Sequence, residues 1–401
     1  MEKIGIRAVT FNATSDYSSK NFTRTVLKTA ALWDRLYSPH TQRITLPQSE
    51  DPFPLRQLDT ALGLCDYSPI RWINIPINPH KGNNADLANF AIDILTYSGR
   101  TFSNLIAVDN GEIFNNIFYT YADLTKKISR FDHTGKENFR FGLSYNIGYD
   151  CPFYPFTRSA GKELSFSLAL EFIQQVNLVL RNLRHASLIE MRTKILEMLC
   201  PQIDYIYDLA KEVECKTGIK FRGFDFSLAP IIGKLGSVVT ILNSLGVYNF
   251  GNTGTMFATS FITDILKELA KRYPSVGFSG VMYSLLEDLD LCTINNERGI
   301  TLEQLSTLST MCGCGLDMVP LSENISTEEI DSCCRDIAAI SCKYNKPLGV
   351  RLLPIPGIQR NQNLRTAIEG DADFIANTRI VPLDVNLLAP AGDSFNYLTY
   401  R

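Results

Sequence analysis

Ile219-Lys220-Phe221-Arg222-Gly223-Phe224-Asp225-Phe226-Ser227-Leu228-Ala229-Pro230 reads as an apolar strand ending in a carboxylate and a hydroxyl. A short helix and a short strand follow, and then Gly251-Asn252-Thr253-Gly254-Thr255 leads into another helix. A polar strand end, then a glycine-rich turn that opens a helix, is how α/β proteins build a ligand site. Two later strands carry charges in apolar surroundings. Asp317 lies in Gly315-Leu316-Asp317-Met318, and Arg351 stands alone in Leu348-Gly349-Val350-Arg351-Leu352-Leu353.

Working outward, strands alternate with helices on both sides of this stretch. Toward the C-terminus, strands fit 219–226, 247–250, 276–283, 315–321 and 348–353, with a sixth at 374–382. Helices fit 237–245, 256–272, 302–310 and 327–344; the last opens with a capping box, Ser326 and Glu329, and Gly246 suits a helix C-terminus. Toward the N-terminus, strands fit 4–11, 43–46, 70–77, 105–108 and 139–147, and helices fit 21–37, 54–64, 85–97 and 112–130. Between the halves, Asp150-Cys151-Pro152-Phe153-Tyr154-Pro155-Phe156 is a rigid, non-helical segment packed on the sheet, because proline fixes φ and removes donors. Leu164, Leu168, Phe172, Val176 and Leu180 then predict a helix over 164–180 with Glu171 on its exposed flank, and 186–217 predicts more helix, interrupted at Pro201. The expectation is one α/β domain over 1–401: a half of about 1–150, a helical bridge of about 163–217, and a second half of about 219–401.

Composition bounds the function classes. The chain has 401 residues, 45% of them hydrophobic, a formal charge of -3 and ten cysteines. There is no basic block to track nucleic acid and no uncharged apolar run long enough for a membrane span. The charged start, Met1-Glu2-Lys3, does not read as a signal peptide, and irregularly spaced cysteines read as reduced thiols. A cytoplasmic protein with a small-molecule partner is expected; a homo-oligomer is left open, and no cofactor is assigned.

The motifs Asp225-Phe226-Ser227-Leu228-Ala229-Pro230, Gly251-Asn252-Thr253-Gly254-Thr255 and Cys312-Gly313-Cys314-Gly315-Leu316-Asp317-Met318 together resemble the domain of unknown function 711 family, also called uncharacterised protein family 0210. Ile6-Arg7-Ala8-Val9-Thr10 and Pro152-Phe153-Tyr154-Pro155 fit it as well. The resemblance implies a barrel like that of the glycyl-radical enzymes: ten strands in two parallel five-stranded halves, antiparallel to each other. It brings no activity. Thr253 stands where relatives resemble one another in carrying histidine, and Leu235-Gly236 where they carry Gly-Asp.

For chemistry, Asp225 points with the apolar residues of its strand, so it needs a partner, and Arg351 is the natural one. Asp225 and Asp317 are the candidate acid/base residues. Ser227, Gly251, Asn252, Thr253, Gly254, Thr255 and Arg351 are the candidate ligand-binding residues, with amides of the turn offered to an anion. The plain alternatives are a structural ion pair inside the barrel and a turn that uses glycine for backbone freedom, with Thr255 as N-cap. Glu287, Asp288 and Asp290 could hold a hard cation but read more simply as a solvated turn, and no metal site is assigned. Cys312, Cys314, Cys333, Cys334 and Cys342 read as core thiols bound to neither disulfide nor metal, and no glycyl-radical segment is present. His40, His80, His133 and His185 are scattered. Two readings stay open: an enzyme acting on a small polar or anionic metabolite inside the barrel, and a non-catalytic metabolite-binding or assembly protein. Tight binding without turnover would favour the second.

Overall fold

The computed structural model of the chain describes residues 3–48, 55, 58–79, 84–183, 185–360, 362, 378–383, 385–388 and 395–396. In chain order the first half contains β1 (Gly5–Asn12), α1 (Lys20–Tyr37), β2 (Thr41–Thr45), α2 (Leu58–Tyr67), β3 (Ile70–Ile77), α3 (Asn84–Tyr97), β4 (Thr101–Asp109), a short β5 (Glu112–Ile113), α4 (Asn115–Ile128) and β6 (Phe141–Tyr145). The remainder contains β7 (Ser165–Glu171), α5 (Ile173–Arg181), α6 (Leu188–Thr217), β8 (Lys220–Asp225), α7 (Val238–Ser244), α8 (Thr255–Arg272), α9 (Leu289–Arg298), α10 (Leu302–Leu308), β9 (Gly315–Ser322), α11 (Thr327–Tyr344), β10 (Leu348–Ile355) and β11 (Phe395–Asn396). His80 and residues 54, 56, 57 and 374–377 lie outside the described residues.

The sheet runs β8-β7-β1-β2-β3-β4-β6-β10-β9, with β5 and β11 paired at its margin. Strands β1, β2, β3, β4 and β6 are mutually parallel, as are β7 with β8 and β9 with β10. The two sets meet in antiparallel seams, β1 with β7 and β6 with β10. The central strands are buried on both faces because helices cover one side and the interior the other; β4, for example, is buried over Thr101–Val108. At the open ends of this order, residues 275–284 bridge both edges: Phe224 pairs with Ser275, Leu228 with Val281, and Ser284 with Asp317.

Several expectations needed correction. Residues 164–180 are not one helix. Ser165-Phe166-Ser167-Leu168-Ala169-Leu170 alternates small and large side chains, the period of a strand, and forms β7; the helix begins only at Ile173. Leucines four apart satisfied both periods at once. The second half therefore starts with β7, inside the stretch read as a helical bridge. Helix α6 runs past Pro201 unbroken, its buried face of Leu199, Ile203, Ile206 and Leu209 outweighing one lost hydrogen bond.

Residues 247–250 form no strand: Gly246 and Gly251 flank them with φ of 90° and 85°, and the Val247 N–H returns to the Leu242 carbonyl at 3.0 Å to close α7. Residues 276–283 form no regular strand either, since Gly277 and Ser279 take positive φ. In the expected sixth strand, residues 378–382 run beside β9 without a ladder, Val381 donating to the Pro320 carbonyl at 3.0 Å. Among the described residues no helix is long and apolar enough to cross a membrane.

Candidate functional site

The segment after β6 decides where space remains. Thr10 donates its hydroxyl to the Pro152 carbonyl from β1 at 3.1 Å, and Tyr154 donates to the Ile44 carbonyl of β2. Thr157 shares a 2.7 Å hydroxyl contact with Thr45 and accepts from Asn74 Nδ2 at 2.9 Å. Asn74 donates on to Asn104 at 3.1 Å, and Asn104 to Ser144 at 2.7 Å, a relay across β2, β3, β4 and β6. Phe156 sits over Gly142 of β6 and Gly349 of β10, where an added Cβ would come within 2.6 and 2.7 Å of its ring. Phe153 and Phe156 both meet the ring of Phe278. One short segment thus touches strands from both sets, so the sheet curls around it and it plugs the interior.

On one side of the plug lies a cavity of about 350 Å³. The first set contributes residues near the N-terminal ends of its strands: Arg7, Arg43, Arg71 and Trp72. The second contributes Glu171 at the carboxyl end of β7, Ala229 beyond the end of β8, and Asp317 and Arg351 from the first halves of β9 and β10. Carboxyl ends of parallel strands are the usual place for a ligand in α/β proteins. Four arginines face three carboxylates, the third being Glu287, so the lining carries one net positive charge with His40 neutral and two with it protonated.

Arg43 is the least compensated of these groups. It is buried, its Nε donates to Thr41 Oγ1 at 3.0 Å, its Nη1 reaches the Pro152 carbonyl at 3.5 Å, and it lies 5.1 Å from the ring centres of both Trp72 and Tyr154. Among the described residues no carboxylate stands within ion-pair distance of it. Burial pulls its guanidinium down to about 9; Tyr154 and, more weakly, Glu287 oppose that, and the cations Arg7 and Arg71 add to it. Arg351, by contrast, is held by Asp317 through two hydrogen bonds of 2.7 and 2.9 Å and lies 3.9 Å from Glu287. Burial lowers Arg351, but Asp317 and Glu287 outweigh it and leave the guanidinium raised. At the mouth, Glu171 lies 3.6 Å from Arg7 and 3.2 Å from His40, not on an exposed helix flank. The hydrogen bond to Glu171 raises His40, against burial.

The structure brings together only part of the expected site. Arg351 pairs with Asp317, not Asp225. Asp225 is fully buried away from the cavity lining and accepts backbone N–H bonds from Ser227 (2.7 Å), Phe278 (2.7 Å) and Ser279 (3.2 Å). Burial raises its carboxyl while these bonds oppose the shift. A Cβ on Gly277 would lie 2.1 Å from its Oδ2, so Asp225 is the clasp that holds the irregular 275–284 segment to β8. Ser227 is buried beside it.

Gly251, Asn252, Thr253 and Gly254 line a separate surface depression with Tyr248 and Phe257, and share no residue with the cavity. Gly254, at φ 101°, is the N-cap of α8; Thr255 is its first residue and accepts from the Gly251 N–H at 3.1 Å. The buried face of α8 is Ala258, Ile262, Ile265 and Leu269, and Phe257 is 65% exposed.

The acidic cluster is dispersed, not a solvated turn. Asp288 is buried, caps α9 by accepting from Leu291 at 3.1 Å, and accepts from Val238 at 2.9 Å; Asp290 accepts from Thr240 and Glu287 from Ser284. All ten cysteines are free. Cys333, Cys334 and Cys342 pack on the buried face of α11, as their spacing suggests. Cys314 does more than pack, since it lines the cavity.

Sequence reasoning missed Arg43, Arg7 and Glu171. The signal for Arg43 was available: like Arg351, it is a lone cation in a short buried strand, Thr41-Gln42-Arg43-Ile44-Thr45.

Residues 73–364 match the family model described as Uncharacterised ACR (DUF711). The chain belongs to this family. Among its relatives, a UPF0210 protein of Pyrobaculum arsenaticum is 28% identical over 223 residues, 54% of this chain and 50% of the relative. UPF0210 proteins of Syntrophobacter fumaroxidans (32% over 152 residues) and Lacticaseibacillus paracasei (34% over 145 residues) match 37% and 35% of this chain, and 33% and 32% of their own length. The chain thus spans half or less of the length of these relatives, and their names carry no activity.

Proposed function

We propose that this DUF711 chain forms a ten-stranded α/β barrel, closed through residues 275–284, and binds a small monoanionic metabolite in the cavity beside its plug. The observation that carries the reading is Arg43: a buried guanidinium facing a cavity with no carboxylate at ion-pair distance among the described residues. An uncompensated buried charge is costly, and a bound carboxylate or similar anion removes that cost. The net positive charge of the lining supports one negative charge on the ligand, and the Trp72 and Tyr154 rings beside Arg43 favour a planar body behind it. Arg351 is a second donor. Asp317, with both oxygens on Arg351, positions that guanidinium instead of moving protons, which favours binding without turnover. The free thiols support a reducing, cytoplasmic setting.

Calorimetric titration with benzoate, acetate and inorganic phosphate tests this. Saturable binding of a carboxylate, stronger for benzoate than acetate and lost in Arg43→Met, is expected. Equal binding by wild type and Arg43→Met, or none of the three anions binding, overturns it.

A further inference from the structure

Cys312 and Cys314 flank Gly313 at the head of β9, and both are buried. Cys314 forms part of the cavity wall beside Met282 and Phe278, while Cys312 lies behind it, toward the end of α10. The Cys314 thiol donates to the Gly315 carbonyl at 3.7 Å, and the two thiols interact electrostatically. Lys346 places an ammonium at the same point: its Nζ donates to the carbonyls of Ser309 (2.8 Å), Thr310 (3.1 Å) and Cys312 (2.6 Å). The backbone is fixed as well. Gly313 donates to the Val281 carbonyl at 2.6 Å, and Gly280 and Gly313 approach so closely that a Cβ on either would come within 2.8 Å of the other.

We propose that Cys312 and Cys314 are a redox-active dithiol, oxidised by hydrogen peroxide entering the cavity to an intramolecular disulfide. Two cysteines one residue apart can meet the separation a disulfide needs. The interaction with Cys314, aided by Lys346, holds the Cys312 thiol below its ordinary range against burial, and the same interaction holds Cys314 above it, so the Cys314 proton has an acceptor beside it. Passing that proton to Cys312 leaves a thiolate on the cavity side. The Cys314 sulfur attacks one peroxide oxygen, the O–O bond breaks, and the departing hydroxide takes the proton from Cys312 to give water. The Cys312 thiolate then attacks the Cys314 sulfenic sulfur, forming the S–S bond and releasing hydroxide. Two electrons pass from the sulfur pair to the peroxide. Cys333 and Cys334, though adjacent, lie on a buried helix face that lines neither Lys346 nor this cavity. The dithiol needs only a cavity that admits peroxide, and does not depend on the anion site.

The test uses the full chain with the exposed Cys215 and part-exposed Cys200 replaced by serine, which leaves eight of the ten thiols. After peroxide treatment, thiol titration of the unfolded protein should fall from eight to six, and peptide mapping should find one linked peptide containing Cys312 and Cys314. Dithiothreitol should restore eight. Cys314→Ser in this background should yield no linked peptide. Retention of all eight thiols at peroxide levels that oxidise the unfolded chain, loss of thiols elsewhere, or the same loss of two in Cys314→Ser would each overturn the proposal.

Discussion

Replacing Arg43 by methionine removes a buried charge while keeping most of the volume of its stem. Its depression to about 9 corresponds to at most roughly 5 kcal/mol of unfavourable charge burial in the empty cavity. Against that stand the bond to Thr41, the long one to the Pro152 carbonyl and the contacts with Trp72 and Tyr154, together about 2–3 kcal/mol. Arg43→Met should therefore be more stable than wild type by about 1–3 kcal/mol without ligand, in line with apolar replacement of buried ions. The pH dependence has a definite sign. Between about 9 and the ordinary arginine range the unfolded chain holds a proton that the folded chain has released, so wild-type stability rises with pH there and the gap to Arg43→Met narrows. Below about 9 the gap is full. Ligand closes or reverses that gap: at a hundredfold excess over Kd wild type gains about 2.7 kcal/mol and the variant nothing. Denaturant melts at several pH values, with and without benzoate, measure both effects. A variant that is less stable than wild type by more than about 1 kcal/mol, and still stabilised by benzoate, would refute the reasoning.

Three other outcomes follow from the packing. Asp317→Leu should cost about 3–5 kcal/mol by stranding Arg351, and adding Arg351→Met should recover most of it, measured by urea unfolding of the single and double variants. Gly349→Ala should cost about 1–3 kcal/mol through its clash with Phe156, and Phe156→Leu in the same chain should relieve part of that in the same assay. Gly254→Val should lose stability through its positive φ while leaving benzoate affinity unchanged, because its turn lines a different depression; a calorimetric loss of affinity would tie that turn to the cavity.

The legible parts of the fold were those where one periodicity acted alone. Residues 70–77 and 327–344 form the expected strand and helix to the residue, the first an apolar strand between turns and the second a capped amphipathic helix. Residues 164–180 failed because Leu164, Leu168 and Phe172 fit both periods, and only the interleaved Ser165, Ser167 and Ala169 marked the strand. The 275–284 segment was placed correctly but misjudged in form. Its regular ladder is broken by positive φ at Gly277 and Ser279, and an acid from another strand stabilises those turns. Of the candidate site, Asp317 and Arg351 were named but mispaired. Both carry the same signal, a charge in an apolar strand, and only three-dimensional register says which strands are neighbours. Arg43 was overlooked because attention lay on the half that holds the motifs, whereas β1, β2 and β3 of the other half also line the cavity.

The plug also constrains how the chain can be rearranged. It is the connection between the two sets of parallel strands, yet it runs through the interior and not over the surface. A circular permutant opened within residues 150–158 would have to insert two free ends, with Tyr154 and Phe156 among them, into a space walled by β1, β2, β6 and β10. One opened at the exposed Tyr248 would break only a surface turn. Tolerance to new termini should therefore differ sharply between these two loops, and the interior one should also resist proteases as long as the strands around it stay paired.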